Sequence, residues 1–299
     1  MLRPPDLQPG DTIALMAPAR KISREEIAPA IQLLEAWGLK VIVGQTVGVE
    51  QHQYAGSDQL RTNDLQQFMD DPAIKAIIAC RGGYGTVRLL DQLRFDKFMD
   101  KPKWIVGYSD LTILHVHLSC VVGVESLHAT MPINFPTNTT DALQSLKDAL
   151  FGNKLEYTFP AHPLNIPGTM QGRVIGGNLS LLYSLLGTRT MLLQTGAILF
   201  LEDLDEYLYH IDRMMMALKR AGKLQGLAGI IVGGMTDMKD NAVPYGKTAE
   251  EIIAEHVSGM GYPVAYGFPA GHIPDNRAII MGAEARVTVG VEGVGFQQI

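Results

Sequence analysis

The chain has 299 residues, 46% hydrophobic and 19% charged, which is apolar enough to bury a large core and excludes a disordered polymer. A net charge of −6 with no basic run argues against nucleic acid or an anionic membrane as the main partner, and no stretch reaches the ~20 apolar residues of a membrane span. Two cysteines, Cys80 and Cys120, are too few for a disulfide framework or a cysteine-rich metal site, and both read as packing residues in apolar runs.

The N-terminus has prolines and aspartates where a signal peptide needs an apolar core, so a reduced, cytoplasmic protein is expected. From there, short apolar runs at 11–18, 39–44, 74–80 and 103–108 predict buried strands. Segments 24–38, 57–71 and 86–99 carry apolar residues at helical spacing, with Ser57 placed as an N-cap and Gly38 as a stop. This alternation predicts a doubly wound parallel α/β sheet, with ligand sites at the carboxyl ends of its strands. Prolines between 132 and 170 suggest a connection around one short helix, 139–151. Strands are then expected at 172–177, 196–202, 226–234 and 285–292, and helices at 204–221 and 248–258. The organisation expected is an N-terminal α/β domain, 1–135, a linker region, 136–170, and a second α/β domain, 171–299, with a mixed or barrel-like sheet.

Two strand-to-helix junctions carry the chemistry. In "GYSDLT" the serine follows a strand directly, so Ser109 reads either as a nucleophile on a sharp turn or as a helix N-cap. The motif departs from G-x-S-x-G because Leu111 stands at the last glycine. In "RGGYG" the glycines free several backbone N–H groups, as a phosphate cradle or as an oxyanion hole formed by Gly83 with Asp110. The pattern lacks both G-x-G-x-x-G and Gly-Lys-Ser/Thr, which disfavours the cradle. Arg81 beside it is either a fixed cation at the site edge or one half of a structural ion pair.

A serine nucleophile needs a base. His115 and His117, two apart on a helix, do not share a face, and His52, His162, His210 and His256 have no recognisable site. His128 could approach the same sheet edge, whereas His272 sits in the Gly- and Pro-rich loop "GFPAGHIPDNR". Glu202 ends the apolar strand "GAILFLE", as a group that orients a histidine or as a carboxylate facing water. Asp203 and Glu206 have capping-box spacing for the helix expected at 204–221, and Asn178 could shape a pocket or cap "LSLLYSLL".

Taken in order, "APAR" (17–20), "RGGYGTVRLL" (81–90), "GYSDLT" (107–112), "GGNLSLL" (176–182), "LEDLDE" (201–206), "IDRMM" (211–215) and "GFPAGH" (267–272) resemble the LD-carboxypeptidase family. Those serine peptidases also include the microcin C immunity hydrolases. The resemblance runs nearly end to end. It implies Ser109 as nucleophile, Glu202 as orienting acid and His272 as base, on an N-terminal domain like class I glutamine amidotransferases and a C-terminal domain with a β-barrel. It further implies removal of the terminal D-alanine from murein tetrapeptide during cytoplasmic cell-wall recycling, through an acyl-enzyme. The partner is then a murein tetrapeptide or muropeptide, with no nucleic acid and no membrane, and a homodimer is compatible. A microcin C-type amide hydrolase and a non-catalytic ligand-binding protein on the same scaffold are the competing readings. No cofactor and no metal are expected.

Overall fold

The computed structural model describes residues 1–191 and 195–299. In chain order its strands and helices begin with β1 (Thr12–Met16), α1 (Arg24–Ala36), β2 (Lys40–Val43), α2 (Asp58–Asp70), β3 (Ile74–Ala79), α3 (Asp96–Asp100), β4 (Trp104–Gly107), α4 (Thr112–His117) and β5 (Ser126–His128). They continue with α5 (Thr140–Leu150), β6 (Glu156–Pro160), β7 (Gly168–Asn178), α6 (Leu179–Ser184), β8 (Ile198–Leu204), α7 (Leu208–Arg220) and β9 (Gly229–Thr236). Last come α8 (Ala249–Val257), β10 (Val264–Tyr266), β11 (Ile279–Met281), β12 (Glu284–Val289) and β13 (Gly293–Gln298).

The first sheet has the order β11-β5-β4-β3-β1-β2. Its β5, β4, β3, β1 and β2 run parallel, as the strand-helix alternation requires, and only β11 at the edge is antiparallel. Local chemistry fixes the helix starts: the Ser23 side chain accepts from Glu26 N–H while Glu26 reaches back to Ser23 N–H, and Ser57 caps α2 as expected.

The helix expected at 86–99 does not form as one piece. Two short 3₁₀ turns, Thr86–Arg88 and Leu90–Gln92, precede α3. Tertiary partners claim the backbone and side chains a helix would need. Gln66 accepts from Arg94 N–H at 2.8 Å and donates to Arg94 C=O at 3.0 Å, and Arg88 is held by Asp58 at 2.6 Å.

The second sheet is mixed, in the order β10-β9-β8-β7-β12-β13-β6. The long β7 serves both halves: Gly168–Arg173 pairs antiparallel with β12, and Val174–Asn178 pairs parallel with β8. In β8 the run Ile198–Leu201 is wholly buried, the continuous apolar pattern of a strand covered on both faces. Each such side chain contributes about 1.5–3 kcal/mol of burial. Val264 of the end strand β10 makes one isolated backbone bridge to Ile166, just before β7, and among the described residues no ladder joins β10 to β6. The stretch 136–170 carries α5 and β6, and β6 forms one edge of this sheet.

The helix expected from 204 begins instead at Leu208, because β8 runs on to Leu204 and Asp205 takes a left-handed turn at φ 59°. Its N-cap is Tyr207, without a side-chain cap, so Asp203 and Glu206 form no capping box. Among the described residues, no helix is long and apolar enough to cross a membrane.

Candidate active site

The carboxyl ends of β1, β3, β4, β7 and β8 converge on a cavity of about 430 Å³ lined by Ser109, His272, Arg20, Arg81, Gly83 and Asn178, among others. Ser109 is held at φ 62°, a left-handed conformation that costs a non-glycine residue about 1–2 kcal/mol. It caps nothing: the helix after it has no side-chain cap. Ser109 is the first residue of the 3₁₀ turn Ser109–Leu111, and its hydroxyl, spent on no cap, lines the cavity. Gly107 before it, at φ 151°, could carry no Cβ, which would lie 2.6 Å from Leu111 Cδ2. His115 braces the same turn from below, one ring nitrogen 2.8 Å from Gly107 C=O and the other 2.8 Å from Ser126 Oγ. Burial pushes this imidazole down to about 4, so it is neutral and donates to the carbonyl.

The glycine loop lies against the serine. A Cβ on Gly82 would meet Ser109 Oγ at 3.0 Å, so only glycine allows this approach. Gly83, at φ 116°, passes under the Arg20 side chain, whose Cδ would be 2.2 Å from an added Cβ. No phosphate-binding helix follows, since only a 3₁₀ turn begins at Thr86. Asp110 is buried, and its Oδ2 accepts from Thr86 N–H at 2.7 Å.

His272 comes from the far side. Its loop is fixed by Gly271 N–H donating to Asn276 Oδ1 at 2.8 Å and Thr236 Oγ1 donating to His272 C=O at 3.1 Å. The imidazole Nδ1 lies 2.6 Å from Glu202 Oε2, and the Glu202 side chain is 0% exposed. Gly271 makes room for that side chain, since a Cβ there would lie 2.8 Å from Glu202 Cβ and 2.9 Å from Oε2. Burial works to lower the imidazole's pKa, but the Glu202 charge and hydrogen bond outweigh it and hold it above 6.5. The Tyr108 ring packs 4.8 Å from the imidazole. Glu202 thus faces a histidine and not water.

Of the other histidines, His128 is fully buried edge-on to Phe200, away from the cavity, and burial holds it neutral. His210 and His256 bond to Glu206 and Asp212. Asn178 caps α6, accepting from Leu181 N–H, and its amide donates to Asp203 at 2.9 Å. Asp203 takes two more donors, Ser180 N–H and Leu204 N–H, so its part is to anchor α6 and not the helix after it. Burial and the adjacent Glu202 push its carboxyl up to about 7.

Among the described residues Arg81 has no carboxylate partner, and it makes a 3.5 Å contact with Lys21 C=O. Arg20 joins it at the cavity and was not singled out as a site residue from sequence; its position just past the carboxyl end of β1 was the available signal. One wall is therefore cationic, while Asp203, Asp205 and Glu206 make the other acidic. Among the described residues, no group of three or more His, Cys, Asp or Glu is disposed to hold a metal ion.

Comparison with known proteins gives a consistent result. Residues 13–129 match the family model of the LD-carboxypeptidase N-terminal domain, and 171–287 that of the LD-carboxypeptidase C-terminal domain. A probable murein peptide carboxypeptidase of Bacillus subtilis is 34% identical over 95% of this chain and 90% of its own length. The murein tetrapeptide carboxypeptidase of Pseudomonas aeruginosa is 29% identical over 91% of this chain and 92% of its own. A solved muramoyltetrapeptide carboxypeptidase from Oxalobacter formigenes has a TM-score of 0.87 at 26% identity, covering 96% of this chain and 98% of that one.

Proposed function

This chain belongs to the LD-carboxypeptidase family, and from that premise we propose that it is a serine carboxypeptidase removing the terminal D-alanine of murein tetrapeptide. The observation that carries the reading is the buried 2.6 Å contact of His272 with Glu202, opening on the cavity that holds the strained Ser109. The murein peptide carboxypeptidases among its relatives support the substrate class.

In this reading Ser109 Oγ attacks the carbonyl joining the diamino acid to D-alanine while His272 takes the hydroxyl proton. The imidazolium so formed is stabilised by Glu202 and returns the proton to the departing amine. Water, activated by the same imidazole, then hydrolyses the acyl-enzyme. The backbone N–H groups of Gly83 and Asp110 hold the oxyanion. Ser109 and His272 line the same cavity without a direct hydrogen bond between them; catalytic contacts of this kind commonly tighten with substrate. The scissile bond must lie next to a free carboxylate, which Arg81 and Arg20 are placed to receive. The setting we propose is cytoplasmic peptidoglycan recycling.

Purified tetrapeptide, the same peptide ending in an amide and the same peptide ending in L-alanine test this directly by mass spectrometry and kinetics. The acid ending in D-alanine should lose one alanine. The amide should be slower by roughly ten- to a hundredfold in kcat/KM, the worth of a lost charge-assisted contact of about 1.5–3 kcal/mol. Equal rates on acid and amide would remove carboxylate recognition, and equal rates on D- and L-alanine would remove the stereochemical assignment.

A further inference from the structure

Asp110 follows the proposed nucleophile, yet its side chain does not behave as an acid in a helix's first turn usually does, facing water near the dipole. It turns inward, is 1% exposed, and its Oδ2 accepts the N–H of Thr86, itself wholly buried, at 2.7 Å. Thr86 closes the glycine loop, so this buried hydrogen bond joins the turn bearing Ser109 to the loop bearing Gly83. The loop is held from its other side by Arg61, also fully buried. Arg61 donates to Pro18 C=O at 2.6 Å, and a Cβ on Gly85 would come within 2.5 Å of its Nη1. Burial pushes the Asp110 carboxyl up, with the Thr86 bonds and the Arg61 charge acting against this, so an anion here is unfavourable for folding taken alone. A small apolar residue would permit the same backbone turn without that cost.

We propose that the Asp110 side chain is a positioning residue that sets the spacing between its own N–H and that of Gly83, and so the geometry of the oxyanion hole. The inference rests on the peptidase reading above. Asp110→Ala leaves both backbone donors in place but frees the loop. Misplacing one oxyanion donor lowers turnover by about a hundredfold or more. The variant should therefore keep KM within about twofold and lose about a hundredfold in kcat. Amide hydrogen exchange at Thr86 should quicken at least about tenfold as its acceptor is lost.

Asp110→Asn keeps an oxygen for Thr86, though a weaker acceptor, and should fall only about three- to tenfold in kcat at constant KM. A purely structural role would lower melting temperature without this separation of kcat from KM and without rescue by asparagine. Wild-type kcat in folded Asp110→Ala, unchanged Thr86 exchange, or asparagine no better than alanine would each overturn the proposal. Should the alanine variant not fold, Asp110→Asn decides alone, and wild-type kcat in it is the overturning result. Failure of the wild-type protein to cleave tetrapeptide removes the peptidase reading and this inference together. Wild-type cleavage with an unaltered Asp110→Ala removes the inference only.

Discussion

At the scale of single residues, the strained serine makes two effects separable. Ser109→Ala should abolish turnover, by about 10³-fold or more, with the fold intact. Ser109→Gly should be equally inactive yet more stable than the alanine variant by about 1 kcal/mol, since glycine relieves the φ of 62°. Urea unfolding of the pair decides it, and a less stable glycine variant would count against strain at this position. His272 accepts a proton only when neutral, and its pKa lies above 6.5, so kcat/KM should rise with pH above that value. Glu202→Gln removes the charge that raises it. The acid limb should then move to lower pH while the plateau falls by about 10²–10⁴-fold. The raised imidazole pKa also means that its pairing stabilises the fold fully below about 6.5 and less as pH rises past the folded value. The glutamine variant should therefore lose more melting temperature against wild type at pH 5.5 than at pH 9. The sequence marked Ser109 by its strand-to-helix junction, His272 by its Gly- and Pro-rich loop and Glu202 as the expected end of a strand that in fact runs on to Leu204, and the family resemblance implied their roles. It could not show that Asp110 turns inward, since that depends on where Thr86 lies in space.

At the scale of elements, the sequence read well wherever apolar periodicity dominated. Helix α7 buries Ile211, Met214, Met215 and Leu218 at helical spacing, and β1, β2, β3 and β4 of the first sheet fall where their apolar runs lie. It read poorly at 86–99 and at 204–207, where contacts remote in sequence override local preference: Gln66 on Arg94, and the extension of β8 on Asp203. Asp203 then matters more than a helix cap. Asp203→Ala strands three donors, the buried Asn178 Nδ2 and the half-buried Ser180 N–H and Leu204 N–H, and should cost about 1–3 kcal/mol at pH 8, measured by urea unfolding. A loss below 0.5 kcal/mol, the lower end of ordinary capping effects, would return it to a minor role. Gly177 sits where β7 meets the helix after Ser109, and a Cβ there would lie 2.5 Å from Thr112 Oγ1, which accepts Asn178 N–H at 3.0 Å. Gly177→Ala should therefore destabilise by about 1–3 kcal/mol and slow turnover too, because it pushes on Thr112 at the start of α4, directly after the turn that carries Ser109.

At the scale of the whole molecule, strand pairing ties the two halves together in a way no periodicity reveals. Strand β11 is short, lies between stretches that belong to the second sheet, and completes the first by antiparallel pairing with β5. A fragment of residues 1–135 would therefore leave the β5 edge bare and should associate or precipitate, as sedimentation or light scattering would record. A monomeric, natively folded fragment would show that β11 is dispensable. The same pairing imposes an order in time. The first sheet's partner strand is made about 150 residues after β5 emerges, roughly ten to thirty seconds later at ordinary rates of synthesis. Glu202 and His272 also follow Ser109 on the chain. During that interval the ribosome displays a half-finished sheet with an open edge and, in the proposed mechanism, a serine still without its base, so the growing chain is exposed to misassociation until β11 appears.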